Sequence, residues 1–137
     1  MEIRQLTKTY HSTDSLVHSC QYHIIWCTKF RRPVLDTPHQ DRLKARIVEK
    51  QVEYGYERFE MEVMADPVHL LLGISPQLTV STVVGRIKGY TAHSLRKEFP
   101  ALKSRLPSLW TRSKFISRVG SVTLREAEQY IENQRGR

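Results

Sequence analysis

Tyr130 and Gln134 stand four residues apart near the end of the 137-residue sequence, a spacing that puts both on one helical face, with Asn133 on the adjacent flank. A tyrosine hydroxyl next to a phosphate held by cations can attack phosphorus as a covalent nucleophile. With an ordinary pKa of about 10, a phenol supplies little phenolate at neutral pH, so such a group needs help from its surroundings. A tyrosine on an amphipathic helix can equally be a packing residue, and the pair alone does not decide between the two.

A second group with chemical potential is His69, in the stretch Ala65-Asp66-Pro67-Val68-His69-Leu70-Leu71-Leu72. On a strand its side chain points away from Val68 and Leu70, onto the opposite sheet face. An imidazole there can ligate a cation, or simply sit half-exposed at a hairpin. Asp66 is a further candidate ligand, because a carboxylate suits magnesium or manganese. Alternation aims it opposite to His69 unless the Asp66-Pro67 turn reorients it. No HxxxH, HExxH or paired-cysteine spacing occurs, so a structural zinc site has no support. Cys20 and Cys27, seven apart on one strand, face opposite sides and are expected as reduced thiols.

The elements that must position these groups can be read from periodicity. Cys20 to Phe30 is rich in β-branched and aromatic residues, a first strand. Thr37 as cap, Pro38 at the first helical position and Gln40 in a capping box predict a helix with Leu43, Ile47, Val48 and Val52 on one stripe, stopping at Gly55. Phe59–Met64 alternates as a half-buried strand, and Val68–Ile74 reads as a deeper one. A second helix starts at Thr79, carries Val80, Val83, Val84, Ile87, Tyr90 and Leu95 inward, and ends before Pro100. A fourth strand is expected over Lys114–Val119, then a capping box at Thr123–Glu126 opens a helix through Gln134. The order is βαββαβ plus a C-terminal helix: an α+β, ferredoxin-like (RRM-like) antiparallel sheet, with residues 1–17 as a flexible lead-in to one domain over 18–137. Such a fold fixes no function.

Hydrophobic content of 39% and charge of 26% fit a globular chain with no membrane segment, and a cytoplasmic location is expected. The basic charge is localised. Residues 1–85 carry 10 Lys+Arg and 10 Asp+Glu, whereas residues 86–137 carry 12 against 4, an excess that equals the whole net charge of +8. That asymmetry favours a polyanionic partner over a merely solvated surface. Lys29, Arg31, Lys88, Arg96, Lys97, Arg112, Lys114 and Arg118 are the candidate phosphate contacts. Trp26, Tyr90, Phe99 and Trp110 could stack on unpaired bases or belong to the core.

Together these segments resemble the single-tyrosine HUH transposases of the insertion-sequence 200/605 family, over about His18 to Gln134. The resemblance rests on Tyr22-His23-Ile24-Ile25-Trp26-Cys27-Thr28-Lys29-Phe30-Arg31-Arg32-Pro33-Val34-Leu35, Ile87-Lys88-Gly89-Tyr90, Leu95–Pro100, Leu109-Trp110 and Tyr130-Ile131-Glu132-Asn133-Gln134. It implies single-stranded DNA with a hairpin as substrate, Tyr130 as nucleophile, His69 and Gln134 as ligands of Mg2+ or Mn2+, and a homodimer sharing its active sites. The product would be a 5′-phosphotyrosine that a new 3′-hydroxyl can resolve. One departure matters. Where the family's strand reads approximately PDHVHLLL, this chain has ADPVHLLL, so Pro67 replaces the first histidine and one ligand is lost. Proline is tolerated at a strand start, so the hairpin should survive while the metal site suffers. An inactive DNA-binding remnant is therefore the alternative. An RNA-recognition-like module is disfavoured, because the central strands lack aromatic-rich RNP signatures.

Overall fold

The computed structural model describes residues 20–119 and 124–134. The expected lead-in and the capping residue Thr123 lie outside them. Four strands, β1 (Cys20–Trp26), β2 (Tyr56–Val63), β3 (Val68–Ile74) and β4 (Phe115–Arg118), pair antiparallel in the order β2-β3-β1-β4. The long helices α1 (Thr37–Glu49) and α3 (Val80–Glu98) cross between strands as the ferredoxin-like topology requires. The short helices α2 (Gln51–Tyr54) and α4 (Pro100–Arg105) extend them, and α5 (Leu124–Asn133) follows β4.

The two sheet faces have different roles. Ile24 and Trp26 of β1 join Val68, Leu70, Leu72 and Ile74 of β3 against Leu43 and Ile47 of α1 and Val83, Val84, Ile87 and Leu95 of α3. Each such side chain removed from water contributes roughly 1.5–3 kcal/mol, which is what clamps the helices to this face. The intervening residues His23, Ile25, His69 and Leu71 are also at most 7% exposed. They form a second buried layer on the other face, and it is there that both histidines lie.

Several boundaries differ from the expectations, each for a local reason. β1 ends at Trp26 rather than Phe30: Cys27 to Lys29 pair instead with residues 109–111, and Phe30 and Arg31 both adopt left-handed backbone (φ 59° and 53°), which no strand continues. Asp36, not Thr37, caps α1: Asp36 N–H donates to His39 Nδ1 in a reciprocal box, while Gln40 turns back to the Leu35 carbonyl. Val48, one residue round from the inward Ile47, is exposed, and Val52 is 96% exposed, since the helix breaks at Lys50 and the stripe loses phase. Gly55 does end the helical segment, at φ 80°, where an added Cβ would lie 2.3 Å from Leu78 Cδ1. Pro100 stops α3 but starts α4, as proline suits a first helical turn. Trp26 and Trp110 are core residues in edge-to-face contact at 5.7 Å, with Trp110 Nε1 donating to Thr91 Oγ1, so neither can stack on a base.

Candidate active site

Strand register sets out the site. Ile25 of β1 is opposite His69 on one side and Phe115 on the other, so His69, Ile25 and Phe115 form one row across the sheet on the face away from α1 and α3. The Tyr130 ring of α5 packs on Phe115 with centroids 5.6 Å apart. The predicted nucleophile and the predicted histidine ligand therefore share a face, but β1 lies between their strands. Two strand spacings amount to about 10 Å.

Tyr130 and Gln134 are brought together, and the group that joins them is Ser113, just before β4. Its Oγ donates to Gln134 Oε1 at 2.6 Å and stands 3.2 Å from the Tyr130 hydroxyl. A serine has one proton to give, so the tyrosine hydroxyl is the donor in that second contact. Gln134 is buried, and burial pushes the Tyr130 phenol up to about 12. Lys88 fixes the loop from below. Its ammonium donates to the carbonyls of Thr111, Arg112 and Ser113 at 2.8, 3.3 and 3.0 Å, which uses all three of its N–H bonds. Burial, reinforced by Lys114, lowers the Lys88 pKa to about 8.

Asp66 is committed elsewhere. Its Oδ2 accepts from Arg31 Nε at 2.5 Å, and its Oδ1 accepts from Thr28 N–H at 3.3 Å with the Thr28 hydroxyl 3.0 Å away. Arg31 also reaches the Ile131 carbonyl in α5 at 3.4 Å, one residue beyond Tyr130. The left-handed backbone at Phe30 and Arg31 is what turns this guanidinium toward Asp66, and the Asp66 pairing holds the strained loop in return.

His69 is buried, and burial together with neighbouring His23 lowers its pKa to about 4, so it is neutral. Its Nδ1 lies 3.9 Å from Glu62 Oε1, and its Nε2 is buried without a hydrogen-bond partner among the described residues. The His23 ring is 6.3 Å away. A neutral, unpartnered imidazole nitrogen is what a metal ligand requires. The rest of the donor set does not fit one. Gln134 Oε1 already accepts from Ser113 and lies with Tyr130 across β1 from His69, the Asp66 oxygens accept from Arg31 and Thr28, and Pro67 has no side-chain donor. Among the described residues no three His, Cys, Asp or Glu side chains converge as a metal would demand. The residues present therefore do not fit a three-ligand magnesium or manganese centre in this arrangement.

The basic residues are spread unequally. Arg112 and Arg118 are exposed, and Lys114, next to Ser113 in the chain, is half-buried. Lys29 lies over the Phe30 ring at 5.2 Å, and Arg96 donates to the carbonyls of Leu106 and Pro107. Lys97 lines a cleft of about 540 Å3 beside Arg46, Tyr90 and His93 on the helical side. Lys88 and Arg31 are engaged as described above. Ser113 and His23 were not singled out from the sequence: a serine in Trp110-Thr111-Arg112-Ser113 carries no periodic signal, and the shared face of His23 and His69 depends on strand register.

Known proteins match both the sequence and the fold. Residues 16–134 fit the family model described as "Transposase IS200 like". The chain is 38% identical over 120 residues to the ISDra2 transposase TnpA of Deinococcus radiodurans, covering 86% of each, and 32% identical over 126 residues to the IS200 transposase of Salmonella typhimurium, covering 88% of this chain and 82% of the other. Among solved structures it resembles a candidate transposase from Deinococcus radiodurans R1 (TM-score 0.81, 36% identity, 96% and 100% coverage). It also shares its fold with a REP-associated tyrosine transposase bound to a REP hairpin (TM-score 0.58, 12% identity, 95% of this chain and 69% of the other). With its whole described fold matched by one family, this chain belongs to the IS200-like transposases.

Proposed function

We propose that this chain binds single-stranded DNA bearing a hairpin and cuts and rejoins it through Tyr130. The observation that supports the reading is the convergence of Tyr130 and Gln134 on Ser113, beside the Arg31 guanidinium, at the edge of one sheet face. In the step itself Tyr130 Oη bonds to phosphorus and the bond from phosphorus to the 3′-oxygen breaks. The phenol gives up its proton and the leaving oxygen gains one, so a 5′-phosphotyrosine and a 3′-hydroxyl result. Attack by a different 3′-hydroxyl reverses the chemistry and needs no outside energy, because one phosphoester replaces another. Arg112, Lys114 and Arg118 supply positive charge for the strand. That a relative by fold binds a REP hairpin supports the hairpin as the recognised form.

The proposal includes a homodimer in which one subunit's Tyr130 serves the other's His69; their separation across β1 within one chain favours such sharing. A second reading, a DNA-binding protein without cleavage, is favoured by Pro67 and by the donor set that does not close around a metal.

The test is incubation with single-stranded oligonucleotides from the ends of its own element in manganese. A covalent protein–DNA adduct that is lost in Tyr130→Phe supports the enzyme. Hairpin binding with no adduct, in both the natural chain and Pro67→His, establishes the non-cleaving reading. Mixing His69→Ala with Tyr130→Phe restores an adduct only if subunits share sites.

A further inference from the structure

We propose that Ser113 is a positioning residue for the tyrosine reaction, with Lys88 as the clamp that holds Ser113 in place; the catalytic part of this inference rests on Tyr130 being the nucleophile. Among the described residues Ser113 hydrogen-bonds both Tyr130 and Gln134: its single proton goes to Gln134 Oε1 and an oxygen lone pair receives the Tyr130 proton. The direction of the phenolic O–H, and therefore of the lone pairs that would face phosphorus, is set by where Ser113 Oγ stands. A hydroxyl on a loop would wander unless the loop were fixed. Here three successive carbonyls, from Thr111 to Ser113, are gathered by one half-buried ammonium. The Thr111 N–H adds a bond to the Cys27 carbonyl at 3.0 Å, which ties the same loop to the end of β1.

The arrangement forms a chain of support. Helix α3 supplies Lys88, Lys88 fixes residues 111–113, and Ser113 fixes the rotamers of Tyr130 on α5 and of Gln134 just past its end. Phe115, two residues on, gives the Tyr130 ring its apolar seat. Neither Ser113 nor Lys88 would touch the reacting phosphorus. Their effect is on how often the phenol is correctly aimed, and misplacement by about 1 Å is enough to cost on the order of a hundredfold in rate.

The experiment compares the natural chain with Ser113→Ala, Ser113→Thr, Lys88→Met and Tyr130→Phe. Three readings are taken: single-turnover adduct formation, affinity for a hairpin-bearing oligonucleotide, and hydrogen exchange of the α5 amides. Ser113→Ala should slow adduct formation by about tenfold or more with affinity changed less than about twofold, as expected of an orientation effect. Ser113→Thr, which keeps the hydroxyl, should restore the rate. Exchange in α5 should quicken in Ser113→Ala and in Lys88→Met and return to normal in Ser113→Thr. The inference is overturned if Ser113→Ala forms adduct at the natural rate, or if affinity falls in step with rate. Should the natural chain form no adduct at all, the proposed reaction fails on its own account. The exchange data then still decide whether Ser113 holds α5: unchanged exchange in both Ser113→Ala and Lys88→Met overturns the clamp.

Discussion

Arg31 and Asp66 are joined from Nε to Oδ2 at 2.5 Å, with side chains 22% and 9% exposed, and this pair links the β2–β3 turn to helix α5. Asp66 is thus a structural carboxylate that steadies a left-handed loop. Asp66→Ala would leave a mostly buried guanidinium and the Thr28 N–H without their acceptor. We expect a loss of about 2 kcal/mol, the scale for removing the partner of a charged hydrogen-bonding group. Urea denaturation measures it. A loss below about 0.5 kcal/mol would mean that the carboxylate is free for another task.

Lys88 has no N–H left for a phosphate. Each phosphate contact to a single strand contributes about 0.7 to the slope of log affinity against log salt. Lys88→Met should leave that slope unchanged, whereas Arg112→Ala and Lys114→Ala should each reduce it by about 0.7. Fluorescence anisotropy of a labelled oligonucleotide between 50 and 200 mM salt, roughly the range over which such slopes are read, separates the cases. A reduced slope in Lys88→Met would return that residue to the DNA surface.

The Tyr130 phenol is raised to about 12 by burial, above its ordinary value of about 10. Between those values the folded chain keeps a proton that the unfolded chain has lost. The stability contributed by this group is therefore complete below pH 10 and disappears as the pH climbs through 12. Tyr130→Phe cannot ionise, so its stability should fall less steeply over that interval. Tyr56, whose phenol is also pushed up by burial and donates to the Ile47 carbonyl, remains in both proteins and cancels from the comparison. Equilibrium denaturation at pH 9 and pH 11 provides the check, and equal slopes would place Tyr130 in water.

Manganese should not raise the melting temperature of the natural chain, because its candidate ligands do not converge. In Pro67→His a second imidazole would stand two residues before His69, on the same face of the strand. Binding to the folded state at a hundredfold over Kd adds about 2.7 kcal/mol. A melting temperature that rises with manganese in Pro67→His alone would identify the missing imidazole as the defect. A rise in the natural chain would show that its side chains do converge on the ion.

The order of elements, the third strand from Val68 to Ile74, most of the inward face of α3 and the Leu43–Ile47 part of that of α1 were legible in the sequence. They are governed by local periodicity and by how much apolar surface each segment must bury, and neighbouring residues carry that information. The resemblance also pointed to Tyr130, Gln134 and His69 as a set. What the sequence could not determine was which of them meet. That Ile25 separates His69 from Phe115, that Lys88 turns inward to three carbonyls, and that Asp66 answers Arg31 are results of strand register and of two consecutive left-handed residues. Register and loop direction arise from contacts between segments distant in the chain, so only the folded arrangement could assign each polar group its partner.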